Sequence, residues 1–364
     1  MKYLDRIKRH VTRLTPEAQT ALVAFQREVQ DPALPLFDKQ YYQWMHEKNP
    51  HKGSDGPQFW IYRKDGIVHG QQVGIPFLLS VQGKLYSASW AIDLLVRPKF
   101  RMRGIGNLLG AAHQQDSDIS VGIGISEDAC KLYRRAGWLE LGKMRVFIRP
   151  LDTRRMLPLF NCSPDNPGSR VAAMLGNAFL LVLDKGCSLL AWFSGVKLER
   201  TEQFDQRADQ VWAVASKFYP VIAKRDSKSL QWRFDAIAEA RHYQRFYLYK
   251  NDDVCGYLVL RNSKRNGVTV VNIVDFLCPP SLITPLMAVC IETLRCSDAA
   301  AIYCRALFPK AGKRLYSLGF CKRPFFTRIM AGINEKSGLA PEAISSESAW
   351  FITMADSDGD FRGN

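Results

Sequence analysis

The chain has 364 residues, 47% of them hydrophobic and 23% charged, and a formal net charge of +15. That length suits about two domains, and an apolar fraction near the globular mean excludes a wholly disordered chain. Residues 1–14 are basic and amphipathic without the apolar core of a secretory signal, and no run reaches the roughly 18 consecutive apolar residues that a bilayer span needs.

In chain order, the pattern predicts a helix over Pro16–Val29 after the potential cap Thr15, and a shorter one over Asp38–Glu47 that stops at Asn49-Pro50. The polar, Gly-containing stretch His51–Pro57 reads as a loop. Strands follow over Phe59–Arg63, Gln72–Ser80 and Leu85–Val96, divided by the turns Lys64-Asp65-Gly66 and Gln82-Gly83-Lys84. A helix over 104–114, a strand over Ile119–Ile125, a helix over Glu127–Ala136 and a strand over Met144–Arg149 complete the first half. The stretch 171–196 is apolar but interrupted by Asp184-Lys185-Gly186, which predicts a pair of interdomain helices rather than one spanning helix. Its competing reading is a membrane-surface element.

Beyond it the plan repeats. Ile92-Asp93-Leu94-Leu95-Val96-Arg97-Pro98 matches Val274-Asp275-Phe276-Leu277-Cys278-Pro279-Pro280, and the same spacing carries Gly137-Trp138 onto Gly319-Phe320. Phe59–Asp65 matches Phe246–Asp252, and Trp44 pairs loosely with Trp232. Helices are expected over Phe204–Phe218, Thr284–Cys296 and Lys310–Leu318. Strands are expected near Arg245–Lys250, Val254–Arg261, Val268–Leu277, Ala300–Arg305, Pro324–Met330 and Ala349–Met354. The fold class is therefore α+β: two tandem copies, each a mixed, mostly antiparallel sheet flanked by helices. Their bounds are 1–155 and 205–355, with a helical linker over 156–204 and a tail over 356–364.

Nine cysteines, without a CxxC pair and mostly inside apolar runs, argue against a zinc ribbon or a disulfide framework and suit a reducing compartment. The cytoplasm is the expected location, at the inner membrane face if 171–196 engages lipid. The positive charge is spread over both halves and accompanies no nucleic-acid-binding motif, so nucleic acid is disfavoured as a partner. His69 and His113 lack ligand spacing, and the alternating acids Asp356, Asp358 and Asp360 lack the glycine and glutamate of a calcium loop. No metal is expected.

The chemistry concentrates after the strand ending at Val96. Arg97-Pro98-Lys99-Phe100-Arg101-Met102-Arg103-Gly104-Ile105-Gly106-Asn107-Leu108 turns directly into a helix, so that backbone N–H groups point outward at its positive end. Gly104 and Gly106 allow an anion close to the main chain, and Arg101 and Arg103 add charge. Arg101-x-x-Gly104-x-Gly106 resembles the acyl-CoA loop of the GNAT acyltransferase superfamily. Ser126-x-x-Ala129-x-x-Leu132-Tyr133-x-x-x-Gly137-Trp138 is similar to its second segment, with Ser126 for Asn and Trp138 for Phe.

The resemblance implies acyl transfer from acyl-CoA (acetyl-CoA) to a primary amine. Main-chain groups near Leu95 and Val96 would meet the pantetheine arm and the oxyanion, and Arg101 to Leu108 would hold the pyrophosphate. Ser126 lies in the second cofactor-binding segment. Tyr133 would be the general acid and Asp93 a candidate base, although Asp275 at the repeated position favours a structural role for both. Copy two has Ile283, Leu286 and Ala288 in place of Arg101, Gly104 and Gly106, and Leu315 in place of Tyr133, so it is expected to bind no CoA. Trp232, Arg233, Phe234, Arg241, His242, Tyr243 and Tyr257 are candidate acceptor walls, with an ordinary core as the simpler reading. The expected acceptor is a small-molecule amine or amino sugar, as in envelope polysaccharide synthesis. Rivals are protein-lysine acetylation and a CoA-responsive module without catalysis.

Overall fold

The computed structural model describes residues 8–29, 39–53, 56–237 and 240–360. Residues 1–7 of segment 1–14, the residue Asp38 that opens the second expected helix, and the end of the tail from Phe361 lie outside them. The first half holds strands β1 Val11–Arg13, β2 Phe59–Lys64, β3 Ile67–Val81, β4 Lys84–Val96, β5 Ile119–Ile123 and β6 Leu139–Pro150. Its main helices are α1 Gln19–Val29, α2 Ile105–Gln114 and α3 Glu127–Arg135. A single helix, α4 Pro167–Ser194, then leads into β7 Val196–Thr201. The second half adds helices α5 Arg207–Ala215, α6 Ile283–Leu294 and α7 Ala311–Tyr316. Its strands are β8 Val221–Ala223, β9 Tyr243–Lys250, β10 Asp253–Arg265, β11 Val268–Leu277, β12 Ala301–Ala306, β13 Cys321–Ile333 and β14 Trp350–Phe351.

Paired residues with left-handed backbone close the hairpins: Asp65-Gly66, Gln82-Gly83, Asn251-Asp252 and Asn266-Gly267 all have positive φ. Such two-residue turns match the twist of antiparallel strands. They occur at corresponding places in the two halves, so the repeat visible in sequence is a repeat of turn geometry as well.

All fourteen strands join one sheet, whose main path runs β1-β2-β3-β4-β5-β13-β6-β12-β11-β10-β9-β7. In each half the only parallel step of that path is the same one: β4 beside β5, and β11 beside β12. The centre exchanges strands. β13, the last long strand of the second half, lies between β5 and β6, while β6 pairs with β12. Trp44 and Trp232, the pair matched in sequence, stack at 4.8 Å and 7°. Each indole N–H donates to the other's carbonyl, at 2.7 and 2.8 Å. Two halves related in sequence therefore meet face to face at equivalent residues.

The linker differs from its expected form. Asp184-Lys185-Gly186 does not break it, and α4 runs unbroken for 28 residues, long and apolar enough by length and composition to cross a membrane. Asp184 is tolerated because it is buried against the fully buried Arg149 of β6, which satisfies its charge.

Candidate active site

Strands β4 and β5 pair only from Ala88–Trp90 to Ile119–Val121 and then part, leaving a wedge. Where they part, β4 carries a β-bulge: Asp93 and Leu94 together stand opposite Gln72, between the pairs Gln71–Leu95 and Val73–Ile92. Asp93 adopts φ of +52°, a left-handed conformation rare for a non-glycine residue. Bulges and such outliers re-aim side chains and gather at functional sites. Here the bulge turns Asp93 toward two cavities at once.

The first cavity, about 350 Å³, fills the wedge. Asp93, Leu95, Ser126 and Tyr133 line it from the first half; Arg305, Thr327 and Asp358 line it from the second. The ring of Tyr133 is buried and stacked on Trp138 at 4.1 Å. Its hydroxyl donates to the Gln72 side-chain oxygen at 3.1 Å, and the Gln72 amide donates to the Ile92 carbonyl at 2.8 Å. Burial pushes the Tyr133 phenol well above its usual value, so it stays protonated. Ser126 caps α3, accepting the Ala129 N–H at 3.3 Å.

A second cavity of about 570 Å³ opens beside it and shares Leu94, Leu95, Ser126 and Ala129 with the first. Its wall is the basic turn: Val96, Arg101, Gly104, Ile105, Gly106 and Asn107, faced by Lys131 and Arg135 of α3. Met102 and Gly104 have φ of +59° and +80°, and Ile105 opens α2 immediately after. Left-handed residues just ahead of a helix start are the kind of turn that can present main-chain N–H groups to an anion, and the α2 dipole adds positive potential at this wall. A Cβ on Gly106 would come within 2.9 Å of the Leu132 Cδ1, so a larger residue there would have to push the Leu132 side chain aside. Arg101 Nε donates back to the Val96 carbonyl at 3.1 Å. Two expected residues do not line this cavity. Arg103 lies over the Phe100 ring at 5.4 Å, and Leu108 packs in the small core around Ile105 and Leu109.

Asp93 also borders a third cavity, of about 250 Å³, under α1. Leu22, Tyr41, Tyr42, Met45 and Phe59 make it largely apolar, and His46 lines it too. Burial lowers the His46 imidazole to about 4, so it is neutral near pH 7. Its Nδ1 has no hydrogen-bond partner among the described residues.

The second half offers no such arrangement at the equivalent wedge. There Ile283, Leu286 and Ala288 are buried in α6, and the tail fills the gap between β11 and β12. Ile352 bridges Leu307, and the Ala355 N–H donates to the Val274 carbonyl at 2.9 Å. Asp275 is buried with Arg225, Tyr257 and Thr353. Its structural role therefore does not transfer to Asp93, which faces cavities. The candidate acceptor walls of copy two belong elsewhere as well. Phe234, Tyr243 and Tyr257 are core, Arg233 pairs with Asp360, and Trp232 belongs to the stacked indole pair. Cys130 is fully buried, and among the described residues no cluster suited to a metal ion occurs.

This architecture defines a class. The chain has the GNAT fold, α+β and in tandem, with one large mixed sheet flanked by helices. No protein-family model matches it, and no curated protein matches it in sequence. Among solved structures it is similar to a GCN5-related N-acetyltransferase from Anabaena variabilis, at 14% identity and a TM-score of 0.58, over 90% of this chain and 74% of that one. It is similar also to a probable N-acyltransferase from Enterococcus faecalis, at 12% identity and a TM-score of 0.57, over 89% and 72%. Saccharomyces cerevisiae N-myristoyltransferase with bound myristoyl-CoA matches at 11% identity and a TM-score of 0.56, over 94% of this chain and 89% of that one.

Proposed function

We propose that the protein transfers an acyl group from acyl-CoA to the primary amine of a small molecule, at one site in its first half. The observation that carries this reading is that the cavity at the basic turn adjoins the β4–β5 wedge, sharing Leu94, Leu95, Ser126 and Ala129 with it, and that Asp93 lines the wedge. The diphosphate of CoA suits the amides and cations of the 570 Å³ cavity, and the thioester would then lie in the wedge. The acceptor would enter from the 250 Å³ cavity, its amine beside Asp93, apolar parts against Tyr41 and Phe59, and a polar group toward His46.

In the reaction the amine nitrogen attacks the thioester carbon while Asp93 takes the nitrogen's proton. The tetrahedral oxyanion is met by main-chain N–H groups at the end of β4. As the C–S bond breaks, Tyr133 turns its hydrogen bond from Gln72 to the sulfur and protonates the departing thiolate.

The test is to mix the protein with acetyl-CoA and a panel of amines, amino sugars included, and measure free thiol. Amine-dependent thiol release, abolished by Gly104→Glu and untouched by Leu286→Ala, is the expected result. CoA binding without turnover across a broad panel of donors and amines would favour a binding module instead.

A further inference from the structure

A surface helix normally turns its apolar face inward and its polar face to water. Helix α4 departs from this: it turns only a narrow apolar seam inward, Ala173, Leu180 and Cys187, and on that same side it also carries polar groups. Asp184 pairs with Arg149, Asn177 accepts the Thr153 N–H at 2.8 Å, and the Ser188 hydroxyl bonds Glu292. The outward side carries Leu175, Phe179, Val182, Leu189, Trp192 and Phe193, each 58–76% exposed, and between Leu175 and Phe193 the exposed charge is Lys185. At 1.5 Å per residue, Leu175 to Phe193 makes an apolar strip about 27 Å long, beyond the scattered apolar residues of an ordinary soluble surface.

The strip has a basic surround. Arg154 and Arg170 are exposed near its N-terminal half, and Arg323 lies over the rings of Phe160 and Phe325, themselves 47% and 67% exposed. The flanking acids Asp152 and Glu292 are held by Arg155 and Arg295 at 3.4 and 3.9 Å. Two copies of a chain with a net charge of +15 repel one another, whereas anionic headgroups attract it. Apolar residues along one face, cations at the rim and aromatics at one end are the makings of an interfacial helix. Spanning is excluded by the packed side, since lifting α4 off would strip Asp184 and Asn177 of their partners.

We infer that α4 is an in-plane docking helix that seats the protein on an anionic bilayer surface, independently of the acyl-transfer reading. The full chain, without CoA, is to be sedimented with vesicles of phosphatidylcholine plus phosphatidylglycerol and, separately, of phosphatidylcholine alone. The expected result is binding to the anionic vesicles that weakens as salt rises. Arg170→Glu and Lys185→Glu should each weaken it about fivefold or more. Phe179→Glu with Trp192→Glu should weaken it at least tenfold while thermal unfolding is unchanged, because both side chains face solvent. Protein that stays in the supernatant with both vesicle types overturns the inference. So does a concentration-dependent dimer, dissolved by Phe179→Glu, in a protein that ignores lipid; the face would then join two copies.

Discussion

At the residue scale, the division of labour between Asp93 and Asp358 follows from what each can reach. Asp93 borders both the wedge and the 250 Å³ cavity under α1, whereas Asp358 lines the wedge and not that cavity; Ser357 bonds it at 3.1 Å and Arg305 also lines the wedge wall. Asp93→Asn should therefore lower kcat by about 10² or more. Asp358→Asn should act mainly on KM. Tyr133→Phe should cost a similar factor in kcat. Because burial raises the Tyr133 phenol, the wild-type rate should show no alkaline limb from this group up to about pH 10, where a free phenol titrates. The glycine turn and Tyr133 were legible because their spacing is local. Gln72, which holds Tyr133, was not: a buried glutamine in a strand shows only that it must have a partner, and only the strand register supplies which. A separate pH effect belongs to His113, fully buried beside Ser89 at 2.9 Å and lowered to about 4 by burial. Its imidazole is neutral when folded, so stability should be full above about pH 6.5 and fall toward pH 4 as the unfolded chain takes up the proton, by roughly 3 kcal/mol. Urea midpoints across that range, shallower in His113→Gln, would measure it.

At the element scale, the tail and α4 are where reading along the chain failed, and for one reason: both carry charges whose partners are remote in sequence. Asp184 looks like a helix breaker until Arg149 is beside it, 35 positions earlier. The acids of the tail look like a defective calcium loop. In the fold Asp356 binds Arg225 at 2.6 Å, Asp360 binds Arg233 and Tyr243, and the segment between them lines the candidate active site. The tail thus closes the wedge of the second half and walls the wedge of the first. Asp356→Asn leaves Arg225 buried with Asp275 as its remaining carboxylate partner, so it should destabilise by less than the about 3–5 kcal/mol of a buried charge left with no partner. The expected outcome is a lower melting temperature with a matching loss of activity, since Asp358 and Gly359 would lose their seat. A tail variant that melts like wild type while losing activity would show that the plug acts on catalysis alone.

At the scale of the whole molecule, duplication was legible and exchange was not. Matching segments such as Ile92–Pro98 and Val274–Pro280 reveal two copies, because each keeps its own turns and strand ends. Nothing in a linear comparison tells which β5 a closing strand will choose. Here β13 pairs with β5 through Ile329–Ile333, and β6 with β12 through Arg145–Pro150, so each half completes the other's sheet. The stacked indoles of Trp44 and Trp232 fix the same pairing from another side. A first half made alone would expose the edge of β5, with its unpaired N–H and C=O groups and the buried residues Ile119 and Val121. Residues 1–162 expressed alone should therefore aggregate, whereas co-expression with 163–364 should yield a soluble complex that binds CoA. The intact chain should unfold in one calorimetric transition, because neither sheet half survives loss of the strand lent by the other. Two separate transitions, or a soluble CoA-binding first half, would mean that the exchanged strands add little to cores each half already completes by itself.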